Sequence, residues 1–145
     1  MILRFKRLHP GARLPTYGTK GAAGMDLHAV RDGEVWGVGD RTIVPLGWSV
    51  EIPEGHAMFI LPRSGFAFKH GVTVTNAPGL IDSDYRGEVQ VSVINHGDQT
   101  LKWKAGDRIA QAVIMPVTAC ALEWADELSD TERGAGGLGS TGVAA

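Results

Sequence analysis

Residues suited to binding an anion stand together near the middle of this 145-residue chain. In Pro62-Arg63-Ser64-Gly65, a serine able to cap a short helix follows an arginine and precedes a glycine. Backbone N–H groups at a helix start and a guanidinium group both attract anions, so this segment is a candidate anion site. The alternative is an ordinary helix cap beside a surface arginine, and the local sequence alone favours that alternative.

A second group of reactive side chains lies in residues 79–87. It contains the carboxylates Asp82 and Asp84, followed by Tyr85 and Arg86. At a connection between strands, these side chains can form a catalytic or metal site, but aspartate and glycine are also the residues of ordinary turns. Taken alone, the segment is more typical of a turn.

The C-terminal segment is rich in glycine, with five glycines in residues 133–142. It resembles a phosphate-binding loop but lacks the Gly-Lys-Ser/Thr ending of a P-loop, and it does not lie between a strand and a long helix. Its composition predicts a mobile tail, because such a segment cannot bury apolar surface by itself. We therefore expect one folded domain over residues 1–128 and a flexible arm over residues 129–145.

Other residues with chemical potential give weaker signals. The five histidines have no spacing that suits a shared metal, so each is expected to be a surface or structural residue. Cys120 has no evident base beside it and is predicted to be a packed free thiol. The four tryptophans lack an accompanying basic stripe, which makes them core or interface anchors.

Alternating apolar and polar residues indicate that β-strands position these groups. Residues 88–93 alternate most clearly, with three valines on one face. The predicted strands are 43–50, 57–61, 72–75, 88–93 and 109–115. A short helix is expected at residues 65–69, with Ser64 as its N-cap and Gly71 at its end, and a further helical turn at 122–128. Many short strands about ten residues apart predict an all-β sandwich or closed barrel.

Composition excludes several classes of protein. Hydrophobic residues at 43% and charged residues at 21% are typical of a globular domain and exclude a disordered chain. With a net charge of −2, no direct binding to nucleic acid through a large positive field is expected. One cysteine excludes an internal disulfide framework and favours a reducing cytoplasm. The apolar stretches are far shorter than the ~20 residues of a membrane helix, so no membrane association is expected.

Five segments in fixed order resemble the five motifs of the trimeric deoxyuridine triphosphatases (dUTPases). They are residues 22–27, 62–71, 76–87, 106–111 and 133–142. Each segment alone is a weak signal, whereas five in order across nearly the whole chain are highly specific. The resemblance implies a jelly-roll-like β-barrel or sandwich subunit with one short helix and a flexible C-terminal arm, assembled as a homotrimer.

The same resemblance implies an enzyme, a dUTP diphosphatase that hydrolyses dUTP to dUMP and pyrophosphate with Mg²⁺ as cofactor. That reaction keeps uracil out of DNA and supplies dUMP for thymidylate synthesis. Each active site would lie between subunits, since one subunit supplies the first, second and fourth motifs and another supplies the third. The arm of another subunit would close over the nucleotide. The implied location is the cytoplasm of a bacterial cell or a phage-infected host.

Roles for individual residues also follow from the resemblance. Asp82 would activate the water that attacks the α-phosphorus, and Asp26 would reach Mg²⁺ through a water molecule. The implied substrate-binding residues are Arg63, Ser64, Gly65, Gln111 and Arg133 for the phosphates, Asn76, Leu80, Ile81 and Gln90 for the base, and Tyr85 for the deoxyribose, with Gly79, Leu138 and Gly139 completing the set.

One position departs from the family pattern. The fifth motif usually carries a phenylalanine that stacks on the uracil, and this chain has Leu138 there. Stacking of a base on an aromatic ring contributes roughly 1–3 kcal/mol. We therefore expect a weaker lid, with a higher Michaelis constant or slower turnover, in an enzyme that is still active.

Two other functions are alternatives to hydrolysis of dUTP. The related dCTP deaminases carry a glutamate ten residues after the first aspartate of the third motif, and Ser92 at this position disfavours deamination. The second alternative is a nucleotide-responsive module whose arm closure controls association with another protein. A pure binder would not need the general base Asp82, so regulation instead of hydrolysis is disfavoured, while regulation in addition to hydrolysis stays open.

Overall fold

The structure, a computed structural model, describes residues 1–138 of the chain. Its strands are β1 (Arg4–Arg7), β2 (Thr16–Tyr17), β3 (Met25–His28), β4 (Gly33–Val35), β5 (Arg41–Pro45), β6 (Trp48–Glu51), β7 (His56–Pro62), β8 (Val72–Val74), β9 (Gly79–Ile81), β10 (Gln90–Asn95), β11 (Leu101–Trp103) and β12 (Arg108–Pro116), and its helix is α1 (Ser64–His70). No helix within residues 1–138 is long and apolar enough to cross a membrane.

Antiparallel sheets are the main regular secondary structure of the described residues. The largest has five strands in the order β2-β3-β12-β7-β9, and a second has three in the order β5-β10-β8. Two further pairs join β1 to β6 and β4 to β11. The expected all-β fold with one short helix is confirmed, and the strands of residues 1–138 form several sheets and no closed barrel.

Valine is the most frequent residue of the hydrophobic core. The three valines predicted to share one face, Val89, Val91 and Val93, are all buried. Trp48 is also buried, and the ring of Phe5 meets it edge to face with 5.0 Å between ring centroids. Full burial of an aliphatic or aromatic side chain contributes about 1.5–3 kcal/mol, so this core stabilises the sheets that position the site.

The prediction of one continuous strand over residues 43–50 is wrong. The chain divides residues 43–50 into β5 and β6 at Gly47, whose φ of +74° is in the left-handed region. A Cβ at this position would lie 2.8 Å from Val30 Cγ2, so the turn requires glycine both for its backbone and for space. The other predicted strands are present, with ends shifted by up to two residues.

The helix α1 confirms the prediction for residues 65–69 and corrects its start. Arg63 occupies the N-cap position in extended conformation, and Ser64, the predicted N-cap, is the first helical residue. No side chain caps this end. Gly71 ends the helix as predicted, with φ +67° and its N–H donating to the carbonyl of Ala67 at 3.1 Å.

The segment after β12 differs from expectation in two respects. Residues 122–128 contain no helical turn, and the apolar side chains of Leu122, Trp124 and Leu128 are exposed. A single isolated turn has little to stabilise it without a buried face. Cys120, predicted to be packed, is free and exposed. Of the four tryptophans, Trp124 and Trp36 are exposed rather than anchored in the core.

Candidate active site

Three neighbouring strands bring motif residues onto one face of the five-stranded sheet. Gln111 of β12 pairs with Asp26 of β3 on one side and with Leu61 of β7 on the other. Directly paired residues of antiparallel strands point to the same side of a sheet, as do residues two apart along one strand. Arg63, two residues beyond Leu61, therefore reaches the same face at the end of β7.

The carboxylate of Asp26 lies between two guanidinium groups. Arg63 Nε is 3.1 Å from Asp26 Oδ1, and Arg108 Nη1 donates a 3.2 Å hydrogen bond to Asp26 Oδ2. The Asp26 side chain is only 15% exposed, so water screens these contacts incompletely. Two positive charges facing one negative charge leave a local positive excess that attracts an anion.

Several contacts hold the Arg63 side chain in place. Besides the ion pair with Asp26, Arg63 Nη1 donates a 3.1 Å hydrogen bond to the backbone carbonyl of Arg108. Its Cζ lies 5.8 Å from the centroid of the Phe66 ring. A guanidinium that is already fixed loses less side-chain entropy when it binds phosphate oxygens.

The first residues of α1 continue this positive region. The first helical hydrogen bond runs from Ala67 N–H to the Arg63 carbonyl, at 3.0 Å. Backbone N–H groups earlier in a helix have no acceptor within the helix. Ser64 and Gly65 are exposed and no acidic residue lies in this turn, so their N–H groups can donate to an anion.

The amide of Gln111 links β12 to the residue before Arg63. Gln111 Nε2 donates a 3.0 Å hydrogen bond to the backbone carbonyl of Pro62. An amide nitrogen has two hydrogens, so one is left for a further acceptor. Gln111, predicted to bind phosphate, thus lies in the same cluster as Arg63 and Asp26.

A histidine lies at the margin of this cluster. His28 pairs with Arg108 in the register of β3 and β12. Burial lowers the pKa of His28 below its ordinary value, and the positive charge of Arg13 lowers that pKa further. Its Nδ1 is buried with no hydrogen-bond partner among the described residues. His28 is therefore expected to be neutral at pH 7 and to add no charge to the cluster.

The residues predicted to contact the base come together in a separate slot. Asn76, Gly79, Leu80, Ile81 and Gln90 line one small pocket between β8, β9 and β10. Buried Ile60 and Val74 form part of its wall. A small slot that combines apolar walls with polar groups is suited to a flat heterocyclic ring with hydrogen-bonding edges.

Tyr85 and Asp82 lie in the turn that follows β9. The backbone N–H of Tyr85 donates to the carbonyl of Asp82 at 3.2 Å, and the Tyr85 hydroxyl donates to the carbonyl of Glu88 at 3.0 Å. A Cβ at Gly87 would collide with the Tyr85 hydroxyl, so glycine there makes room for the ring. The Asp82 side chain is exposed.

The two groups of residues are far apart within one chain. On β7, Met58 pairs with Ile81 and Leu61 pairs with Gln111. From the usual rise per residue and spacing between strands, Asp82 and Gln111 are separated by on the order of 15 Å. One chain therefore does not bring Asp82 to the cluster around Arg63.

Two predicted arm residues lie within the described part of the chain. Arg133 Nε donates to the carbonyl of Gly136 at 2.9 Å, within the arm itself. The Leu138 side chain is fully exposed. Gly139, the third predicted arm residue, lies outside the described residues.

The family model for dUTPase matches residues 11–142. The chain belongs to the dUTPase family. The deoxyuridine 5'-triphosphate nucleotidohydrolase of Nautilia profundicola is 52% identical over 98% of this chain and 99% of that protein. The protein of the same name from Rhizobium rhizogenes is 57% identical over 92% and 87%. A structure of the Staphylococcus bacteriophage 80alpha dUTPase with dUPNHPP has a TM-score of 0.88 and 26% identity, covering 98% and 99%.

The donor set fits the magnesium that the family implies. Residues 1–138 hold no group of three or more His, Cys, Asp or Glu side chains suited to a metal ion. Mg²⁺, however, typically takes one or two carboxylates, substrate phosphates and several waters. Asp26 supplies a carboxylate within the region that attracts phosphate, so it fits a metal that arrives with a triphosphate.

Sequence reasoning assigned no role to two residues that the structure places in contact with the predicted ones. Arg108 bonds to Asp26 and, through its carbonyl, to Arg63. Glu88 accepts hydrogen bonds from Gly47 N–H at 2.9 Å and from Gln90 Nε2 at 3.3 Å. Arg108 lies inside the fourth motif and Glu88 lies just after the third. These positions were the signals in the sequence that could have indicated a role for each residue.

Proposed function

We propose that this chain hydrolyses dUTP to dUMP and pyrophosphate. The observation that carries the proposal is the slot lined by Asn76, Leu80, Ile81 and Gln90, because the carboxylate of Asp82 directly follows Leu80 and Ile81 along the chain. The positive cluster around Arg63 suits the triphosphate of the same ligand. Support also comes from membership of the dUTPase family and from a phage dUTPase solved with a dUTP analogue.

Binding of the phosphates is assigned to the cluster and the start of α1. A triphosphate carries about four negative charges, while the chain as a whole carries −2, so the positive charge must be concentrated locally. Arg63, the N–H groups of Ser64 and Gly65, and the Gln111 amide supply donors for the chain of phosphates. Arg133 of the arm is assigned to its far end.

Asp82 is assigned as the general base. Its carboxylate orients a water and accepts a proton from it as the water oxygen bonds to the α-phosphorus. The bond from the α-phosphorus to its bridging oxygen breaks, and pyrophosphate leaves. A carboxylate is a weak base, so proton abstraction adds about 10²–10⁴-fold, and positioning with charge neutralisation carries most of the rate.

Asp26 is the residue assigned to hold Mg²⁺, through a water molecule. Bound Mg²⁺ neutralises charge on the phosphate oxygens. Arg63 and Arg108 fix both oxygens of the Asp26 carboxylate, so the ligand-bearing side chain is oriented before substrate arrives.

Selection of the base and sugar is assigned to the slot and to Tyr85. Backbone groups near Asn76, Leu80 and Ile81 read the edge of uracil, and a narrow slot excludes the methyl group of thymine. A site that leaves buried polar groups unpaired with the wrong base discriminates by about 10⁴ or more. Tyr85, held by the carbonyl of Glu88, packs under the deoxyribose and leaves no room for a 2′-hydroxyl.

Assembly as a homotrimer with shared sites completes the proposal. The separation of Asp82 from Gln111 within one chain supports a site in which one subunit contributes the third motif and another contributes the first, second and fourth. Residues 129–145 are proposed to be a flexible arm that closes over this site, beyond a folded domain of residues 1–128. The single cysteine favours a reducing compartment, and the bacterial cytoplasm is the proposed location.

Release of pyrophosphate tests the proposal. Wild type is incubated with dUTP, UTP, dTTP or dCTP, with Mg²⁺ or with EDTA, beside Asp82→Asn and the matched control Asp84→Asn. We expect Mg²⁺-dependent release from dUTP alone, a loss of at least ~10²-fold in Asp82→Asn, and near-wild-type release in Asp84→Asn.

Other outcomes would contradict parts of this assignment. Binding of dUTP without pyrophosphate release would indicate a nucleotide-responsive binding module. Release of ammonia from dCTP would indicate a deaminase. Equal losses in the Asp82 and Asp84 variants would remove the special role of Asp82.

A further inference from the structure

Gly24 lies directly against the side chain of Gln111. Met25 pairs with Ala112 and Asp26 with Gln111, so Gly24 is the diagonal neighbour of Gln111 on the same face of the sheet. A Cβ at Gly24 would be 2.7 Å from Gln111 Oε1, 3.3 Å from its Cδ and 3.5 Å from its Cβ. A distance of 2.7 Å is too short for a contact between carbon and oxygen, so the side chain of Gln111 would have to shift.

The requirement for glycine here is one of space. Gly24 is not among the glycines with positive φ, so alanine is compatible with its backbone. On its other side, the Gln111 amide is held by its 3.0 Å hydrogen bond to the Pro62 carbonyl. A methyl group at position 24 therefore shifts the amide oxygen of Gln111, and this shift works against the hydrogen bond that the same amide makes to Pro62.

We propose that Gly24 is a positioning residue that sets the side chain of Gln111 for phosphate binding. The inference rests on the proposed function, because it deepens the role of a residue in that site. The Pro62 carbonyl directly precedes Arg63 and α1, so the amide of Gln111 is fixed relative to both phosphate donors. Displacement of the amide removes a phosphate donor and loosens the start of α1 together.

A double-mutant cycle separates this role from a general defect. We expect Gly24→Ala and Gln111→Ala each to lower kcat/KM for dUTP by about fivefold to tenfold, which corresponds to the loss of one hydrogen bond. The double variant should be no worse than Gln111→Ala alone, since Gly24 acts through Gln111. Gly21→Ala is the matched control and should be unchanged, because a Cβ at Gly21 meets nothing within 4 Å.

The Gln111 side-chain amide gives a readout that does not depend on turnover. Its two N–H signals, assigned with Gln111→Ala in a ¹⁵N-labelled full-length protein, should shift in Gly24→Ala and stay unchanged in Gly21→Ala. Unmoved signals would overturn the proposal, as would losses in kcat/KM that multiply in the double variant. If wild type shows no hydrolysis, the proposed function fails, whereas shifted amide signals would still support the contact between Gly24 and Gln111.

Discussion

At the scale of single residues, Leu138 is the position that departs most clearly from the family pattern. Its side chain is fully exposed and apolar but offers no flat ring to a base. We expect Leu138→Phe to lower the KM for dUTP about tenfold, equivalent to ~1.4 kcal/mol of stacking. Leu128→Phe is the matched control, since Leu128 is also an exposed leucine of the C-terminal segment. Equal KM values in wild type and Leu138→Phe would show that the arm does not reach the base.

The sequence was a good guide to residues that stand within a motif and a poor guide to the contacts between them. Asn76, Leu80 and Gln90 share a slot as expected, because a hairpin brings nearby residues together. The contact of Arg108 with Asp26 spans 82 positions and depends on the pairing of β12 with β3. No local pattern encodes such a pairing, so Arg108 was given no role.

At the scale of elements, α1 depends on one glycine at its C-terminus. Gly71 has φ +67°, its carbonyl accepts a 2.9 Å bond from His96 N–H, and a Cβ there would lie 2.6 Å from the backbone nitrogen of Gly97. Gly71→Ala should therefore combine backbone strain with a collision and lower the free energy of unfolding by about 2 kcal/mol or more.

Gly55→Ala is a matched control for the strain alone. Gly55 has φ +74°, and a Cβ there meets nothing within 4 Å, so we expect a loss of only about 1 kcal/mol. Chemical denaturation at one fixed protein concentration measures both losses. Equal losses would show that the Gly97 backbone yields to the added methyl group and that α1 is not anchored there.

Strands could be predicted from the sequence where their side chains alternate, whereas the strands with which they pair could not. Val89, Val91 and Val93 identified a buried face correctly, because the period of two is a local property. The division at Gly47 was missed, since apolar residues continue through the turn on both sides. Likewise, the residue type of Ser64 predicts an N-cap, whereas the N-cap position is one residue earlier, at Arg63.

At the scale of the whole molecule, the separation along β7 supports the proposal that the active site is shared between subunits. The third-motif carboxylate Asp82 and the phosphate cluster around Arg63 lie at different positions of one sheet. A copy of this chain with a disabled Asp82 still presents an intact cluster, and a copy with a disabled Arg63 still presents an intact Asp82. Two inactive variants can therefore complement each other only if sites are shared between subunits.

Co-expression of Asp82→Asn and Arg63→Ala, each with a different affinity tag, tests this arrangement in purified mixed trimers. A mixed trimer holds two copies of one variant and one copy of the other, so one of its three interfaces joins two intact halves and about a third of wild-type hydrolysis should return. Each variant purified alone is the control and should stay inactive, and light scattering checks that the mixed species has the mass of three chains. Mixed trimers as inactive as the separate variants would place Asp82 and Arg63 in the site of the same subunit. Residues 82–87 would then have to bend across the sheet to reach the phosphate cluster of their own chain.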